Sequence, residues 1–253
     1  MKNSIFILSH QDDEIGIFES IRIAVENKEN VIIFYMTNGI INRSIPKEEL
    51  FHRDKESLMV LKKIGIKEKN IIFFGRLNNI ATCSLYKKLE FAYLEIAKFL
   101  KTLNGDIKLF THAYEGGNED HDSCNILVLK IIKNFNNINS AFQFPFYNAN
   151  TSIFFYTVQK TLKINGEVLK IKTSFANRIK YIRYLFYFKS QLKVWIGLYP
   201  FLIFNFITRN YYLLQKIDKN FFIQKPHQGT LLYEKFRNTH YTSLEAAFIK
   251  FLK

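Results

Sequence analysis

Through the first half of the chain, apolar residues fall in short runs, and stretches of helical polar–apolar periodicity separate them. Ile5 to Leu8, Val31 to Met36, Ile71 to Phe74 and Ile107 to Thr111 read as strands, with Ala141 to Phe144 as a fifth. Helical patterns occupy Glu14 to Asn27, Lys47 to Ile64, Leu85 to Thr102 and His121 to Asn134. Such alternation builds βαβ units with right-handed crossovers and a parallel sheet. Runs that are apolar at every position suit strands covered on both faces. The expected fold class is α/β, a Rossmann-like three-layer sandwich around a mostly parallel sheet.

The pattern changes after residue 150. Ile153 to Gln159 and Val168 to Lys172 flank Asn165-Gly166 and read as a β-hairpin. Phe175 to Leu192 reads as a helix in which Arg178, Lys180, Arg183 and Lys189 alternate with Tyr181, Tyr184, Phe186 and Tyr187. No linker composition separates the halves. A single domain over 1–253 is expected, with a Rossmann-like core at 1–150 and a C-terminal hairpin and helical appendage at 151–253.

Two polar clusters interrupt the strand–helix pattern. The first apolar run ends in His10-Gln11-Asp12-Asp13-Glu14, and the fourth in Thr111 to Asp122. Both fall where an α/β sheet presents the carboxyl ends of its strands, the usual place for chemistry in such folds. A His with an Asp three positions on can ligate zinc, and the Asp between them stays available as a base. One ligand from the second cluster would make three, leaving a coordination position open, as catalytic zinc sites do. Asp12, Asp13 and Asp122 each have the alternative of capping a helix. Glu14 suits a first-turn charge facing the helix dipole.

Composition narrows the classes. A chain of 253 residues can bury a full core. Its two cysteines, Cys83 and Cys124, form no CxxC pair, which excludes a cysteine zinc site and suits a reduced, cytoplasmic protein. The formal net charge is +14, but the lysines are scattered, as on a solvated surface rather than in a nucleic-acid site. No signal peptide is read at the N-terminus. The apolar stretch 194–207 is too short to span a bilayer and is expected to be core, with peripheral membrane contact as the alternative. No Gly-x-Gly-x-x-Gly follows the first strand, so no dinucleotide is expected.

The motifs carry a family resemblance. His10-Gln11-Asp12-Asp13-Glu14 resembles the His-Pro-Asp-Asp-Glu signature of the LmbE/PIG-L zinc N-deacetylases. Asn118-Glu119-Asp120-His121-Asp122, after Gly116-Gly117, resembles that family's His-Pro-Asp-His-Asp. Thr37-Asn38-Gly39, Arg53 with Glu56, and Pro226 to Glu234 resemble further family segments. The resemblance implies zinc, or another divalent ion, on His10, Asp13 and His121, with Asp12 as general base. It places Arg53 at the substrate mouth and implies removal of an N-acetyl group from an amino sugar. Arg53 and the basic surface favour an anionic sugar as the small-molecule substrate, with no nucleic acid partner. Other readings are hydrolysis of a different acyl amide and a non-catalytic sugar-binding protein of the same fold.

Two departures stand out. Gln11 replaces the family Pro, and Asn118 replaces the first His of the second signature, so it can donate a hydrogen bond but no proton. Asn118 is expected to face the metal and the developing oxyanion. His112, on the same sheet edge, and His227, in the closing segment, are candidates for the missing acid or for substrate binding. Asp120 is expected to orient a His.

Overall fold

The computed structural model describes residues 2–40, 47–150, 157–192, 196–237 and 239–253. Its central sheet is made of β1 (Lys2–Leu8), β2 (Asn30–Tyr35), β3 (Ile71–Ile72), β4 (Asp106–His112), β5 (Ile138–Phe144), β8 (Val168–Lys172) and β9 (Tyr211–Lys216). The strand order is β3-β2-β1-β4-β5-β9-β8. The first five are parallel, and β9 and β8 continue the sheet in antiparallel fashion. A small antiparallel pair, β6 (Tyr147–Asn148) with β7 (Thr157–Val158), lies apart.

Alternation along each strand divides the core into two layers. Ile5 and Ile7 pack with α4 (Leu89–Lys101), α5 (Glu119–Asn134) and α9 (Tyr241–Leu252). Phe6 and Leu8 face α1 (Phe18–Glu26), α2 (Lys47–Ile64), α6 (Phe175–Leu185) and α7 (Tyr199–Thr208). All four strand residues are fully buried, as expected for a sheet between helical layers. The molecule is therefore a mostly parallel α/β sandwich.

Several elements depart from the pattern. The helix expected from Glu14 begins as a 3₁₀ turn, Asp13–Gly16, and α1 starts only at Phe18. The chain there runs against β5, where a Cβ on Gly16 would sit 2.6 Å from the Phe144 ring. The third strand stops at Ile72, because Phe74 to Leu77 turn into the short helix α3, with Gly75 pressed on the Thr37 backbone. The helix expected from Leu85 opens with a 3₁₀ turn over Leu85–Lys88.

The hairpin about Asn165-Gly166 does not form. Residues 153–156 of its first arm lie outside the described residues, while Thr157–Val158 pair with β6 and Val168–Lys172 with β9. Side chains pin the intervening segment to the sheet instead. Gln215 donates to the Leu162 and Gly166 carbonyls at 2.9 and 2.6 Å, and Asn165 donates to the Tyr114 carbonyl at 2.9 Å. The basic helix ends at Leu185 rather than Leu192, and Glu56 then holds the Ser190 amide and hydroxyl at 2.9 and 2.6 Å. No helix among the described residues is long and apolar enough to cross a membrane. The described part of 194–207 lies largely in α7, which buries Tyr199, Leu202 and Phe206 and exposes Phe204 and Ile207.

Candidate metal centre and active site

The strand order reverses between β1 and β4, and a crevice opens at the carboxyl ends of strands that flank such a switch. His10, Asp12 and Asp13 follow β1, His112 ends β4, and Asn118 to His121 open α5. Asn118 is the N-cap of α5, its Oδ1 accepting from the Asp120 amide at 2.8 Å. Glu119, Asp120 and Asp122 in the first turn complement the helix dipole. His121 is thus the third residue of the helix rather than its first.

Asp13 is the hub of the cluster. Its Oδ2 accepts from the His10 amide at 2.6 Å and lies 3.0 Å from His112 Nε2. Its Oδ1 is 3.3 Å from His121 Nε2. The His112 and His121 rings stack with centroids 3.8 Å apart and planes 8° from parallel. His112 Nε2 also lies 3.4 Å from the Ser9 amide. One nitrogen cannot both donate and accept, and the shorter bond to an ionised carboxylate decides for Nε2–H donating to Asp13. Asp120, fully buried, takes His10 Nε2 at 3.2 Å and the amides of Cys83 and Leu85 at 2.6 and 3.1 Å. It therefore ties the loop before α4 to a site histidine, which is the orienting role read for it.

Electrostatics separate the two outer histidines. Burial disfavours the charged His10 ring, but Asp13 and Asp120 outweigh it and raise its pKa to about 9. Burial, together with His112, pushes His121 down to about 3 despite Asp13. The Asp13 carboxyl would rise on burial alone, yet His112, His121 and His10 hold it well below the usual range. His10, Asp13 and His121 each offer an atom, all within 4.8 Å of one another, and all three side chains are buried. His121 Nδ1 is buried with no hydrogen-bond partner. Two imidazoles, a carboxylate and an unspent ring nitrogen fit a divalent ion with nitrogen and oxygen ligands.

Asp12 sits beside the cluster on a left-handed backbone, φ 130°. For a residue with a side chain this costs on the order of 1–3 kcal/mol, which the surrounding contacts must offset. Its amide donates to Glu14 Oε2 at 3.0 Å, so Glu14 holds that turn rather than merely facing a dipole. Burial pushes the Glu14 carboxyl up to about 7. Asp12 makes no side-chain cap to the following turn. Arg53 Nη2 lies 3.4 Å from Asp12 Oδ1 and donates to the Gln11 carbonyl at 3.0 Å, and Nη1 donates to the Gly39 carbonyl. Arg53 is thus bound to the walls of the site. Gln11 donates to Asp54 at 2.9 Å, a tether to α2 that the family Pro cannot make.

The remaining candidates are placed as follows. Asn118 Nδ2 donates one of its two hydrogens to the Tyr147 hydroxyl at 3.3 Å, while its Oδ1 is taken by the Asp120 amide. Asp122 is no N-cap: it accepts from the Glu115 and Gly116 amides at 3.0 and 3.2 Å. His227 is buried, with Nδ1 2.8 Å from the Gln228 carbonyl, and the charges that act on it are Lys225, Lys235 and Glu234 rather than the cluster carboxylates. Cys124 is buried against the Ser9 hydroxyl at 3.1 Å.

Sequence reasoning missed Tyr147, whose ring lies 5.4 Å from that of His121. It also missed Glu115, a buried carboxyl that accepts from the amides of Phe146 and Tyr147 at 2.7 and 2.9 Å and so sets Tyr147 in place. A carboxylate inside an otherwise Gly-rich turn was the available signal.

The profile of a family described as PIG-L, GlcNAc-PI de-N-acetylase, matches residues 5–132. No curated protein sequence matches the chain at a significant level. Among solved structures, the chain is similar to N,N'-diacetylchitobiose deacetylase from Pyrococcus horikoshii, with 20% identity, 89% of this chain and 87% of that one covered, and a TM-score of 0.59. A deacetylase of the teicoplanin biosynthesis pathway gives 12% identity, 86% and 100% coverage, and 0.60. A deacetylase of the A40926 pseudoaglycone gives 12% identity, 87% and 98% coverage, and 0.63. At these identities the likeness is one of fold.

Proposed function

The chain belongs to the PIG-L family of de-N-acetylases, and we propose that it hydrolyses the N-acetyl amide of an amino sugar, releasing acetate and the free amine. The observation that carries this reading is the buried His10–Asp13–His121 group with Asp12 beside it at the switch point. His10, Asp13 and His121 would hold zinc, which when bound supplies Lewis acidity and lowers the pKa of water in the site.

The chain's own residues supply the rest. Asp12 accepts the proton of the attacking water at its carboxylate and returns it to the departing nitrogen. Arg53 fixes Asp12 through Oδ1 while holding two loop carbonyls. His112 and Asp120 fix Asp13 and His10. Asn118 donates one of its two Nδ2 hydrogens to the Tyr147 hydroxyl, so Tyr147, whose own proton stays available, joins Asn118 as a donor to an oxyanion. In support of a sugar substrate, the similar structures include diacetylchitobiose and teicoplanin deacetylases. With Arg53 committed to the site walls, no anionic group is required of that sugar. Both cysteines are free, in keeping with a cytoplasmic location.

The test is acetate release from N-acetylglucosamine and its β-1,4-linked dimer by purified protein, with metal content measured in parallel. Asp12→Asn should lower turnover about 10²–10⁴-fold while retaining bound zinc. Equal loss of metal in that variant would make Asp12 a ligand, and absence of acetate release from any N-acetyl sugar by zinc-loaded wild type would end the reading.

A further inference from the structure

Helix α7 reads Tyr-Pro-Phe-Leu-Ile-Phe-Asn-Phe-Ile-Thr, apolar nearly all round and without a charge. Its inner face, with Tyr199, Leu202 and Phe206, is buried in the core. Its outer face is bare: Phe204 is 64% and Ile207 54% exposed. The polar groups of the helix are spent inward. Tyr199 donates to the Leu185 carbonyl, Asn205 is buried against Val158 and Gln159, and Thr208 donates back to the Phe204 carbonyl. A helix apolar all round belongs inside a protein or in lipid, and one side of this one is in neither.

The bare face continues beyond the helix. A cleft of about 460 Å³ lies against it, and its described lining residues, Leu192, Ile196, Tyr199, Pro200 and Ile203, are all uncharged. Phe186, also exposed, sets its ring edge-on to Tyr199 with centroids 6.2 Å apart. Arg178 lies 5.2 Å over the exposed Phe175 ring and donates to the Phe206 and Ile207 carbonyls at 3.1 and 2.7 Å. It thereby joins the start of α6 to the end of α7. Contiguous exposed apolar surface of this kind marks contact with another molecule or with a membrane.

Charge selects the occupant. Between Glu167 and Asp218 the chain has nine Lys or Arg residues and no acidic one. Helix α6 packs its Tyr181 ring 6.5 Å from that of Phe206 and exposes Lys180 and Arg183, with Lys189 exposed just after it. A second copy seated here would bring two such basic segments together, and like charges across an interface oppose association. A nucleic acid would meet the cations, but Leu192, Ile196 and Ile207 offer bases neither a stacking plane nor a hydrogen bond. An anionic bilayer answers both features, with headgroup phosphates for the cations and the acyl boundary for the apolar side chains.

We propose that the α6–α7 face seats the protein peripherally on an anionic membrane surface. Leu198, just before α7, borders Gly117 and Tyr147, and the Asp12 carboxylate acts on the Tyr199 hydroxyl. The seat therefore brings the mouth of the metal centre to the membrane interface. The proposal stands independently of the deacetylase reading.

The experiment is flotation of the purified full chain with vesicles of phosphatidylcholine alone and of equal parts phosphatidylcholine and phosphatidylglycerol. The protein should float with the mixed vesicles only, and raised salt should weaken the binding. Phe204→Ser with Ile207→Ser, both at exposed positions, should weaken it at least about tenfold. Each cation near an anionic surface is worth roughly fivefold, so Lys180→Glu with Arg183→Glu should cost about 25-fold or more. Urea unfolding checks that each variant is folded, and the charge pair decides alone if the apolar pair is not.

No flotation with the mixed vesicles, equal flotation with both lipids, or unchanged binding in either folded variant overturns the proposal. A wild-type dimer in sedimentation that Phe204→Ser with Ile207→Ser makes monomeric would give the face to a second copy instead. Flotation needs no turnover. Vesicle binding by a protein that releases no acetate leaves the membrane seat standing and ends the deacetylase reading, and acetate release without vesicle binding does the reverse.

Discussion

Replacing His112 by Phe isolates one hydrogen bond in the metal site. His112 is fully buried, its Nε2 lies 3.0 Å from Asp13, and its Nδ1 has no partner. Phe keeps a flat ring stacked on His121 and removes the donor alone. A hydrogen bond to an ionised group in a buried site is worth about 1.5–3 kcal/mol. At tenfold per 1.4 kcal/mol, zinc affinity should fall about 10–100-fold, the usual loss when a group that orients a metal ligand is removed. His112→Gln, which restores an N–H donor, should recover part of it. Affinity is read by competition with a chelating dye, and urea unfolding of the metal-free proteins separates any loss of stability. Zinc affinity in His112→Phe within threefold of wild type would refute the view that His112 positions Asp13.

Other expectations follow from the same geometry. His10, with a pKa near 9 in the metal-free protein, is protonated at pH 7 and must lose that proton to ligate, whereas His121 near 3 and the low Asp13 are already deprotonated. Zinc uptake at pH 7 should thus release about one proton, and affinity should rise about tenfold per pH unit between 6 and 8; calorimetry in buffers of different ionisation heat that shows no release contradicts it. Gly117→Ala should lose about 1–3 kcal/mol in urea unfolding, because its Cβ overlaps the Tyr147 carbonyl and the loop must move. Arg53→Lys should lower kcat more than it raises KM, since an ammonium cannot reach Gly39, Gln11 and Asp12 together. A raised KM with unchanged kcat would instead return Arg53 to reading substrate.

The parts of the fold set by local pattern were legible. The helix over Lys47–Ile64 and the four long parallel strands follow from periodicity, because each buries residues chosen by its own sequence. The joining of β9 to β5 was not legible. It pairs Gln143 with Gln215 across a long separation, and no local signal marks that partnership. At the site, the short spacing from His10 to Asp13 carried the chemistry, and the strand ends brought His121 to it. The capping role of Asn118 is present in the sequence, as an Asn before two acidic residues, but the family motif draws the eye to the missing His instead. Tyr147 carried no signal, being one aromatic residue in an aromatic-rich run, Phe142 to Tyr147, whose position depends on the buried Glu115. The left-handed Asp12 was equally silent, since a non-glycine residue gives no warning of a positive φ.

The sheet extension by β9 also orders events during synthesis. Until Tyr211–Lys216 emerge, the edge of β5 has no strand to pair with, and bare edges invite pairing with other chains. Tyr211 follows Phe144 by 67 residues, which at about 5–20 residues per second is a delay of roughly 3–13 s. Through that interval the nascent chain already carries every candidate metal ligand, while β9 is still unmade. Zinc can thus meet its ligands before the sheet is closed, and a shortage of chaperone during this window should show first as aggregation through the β5 edge.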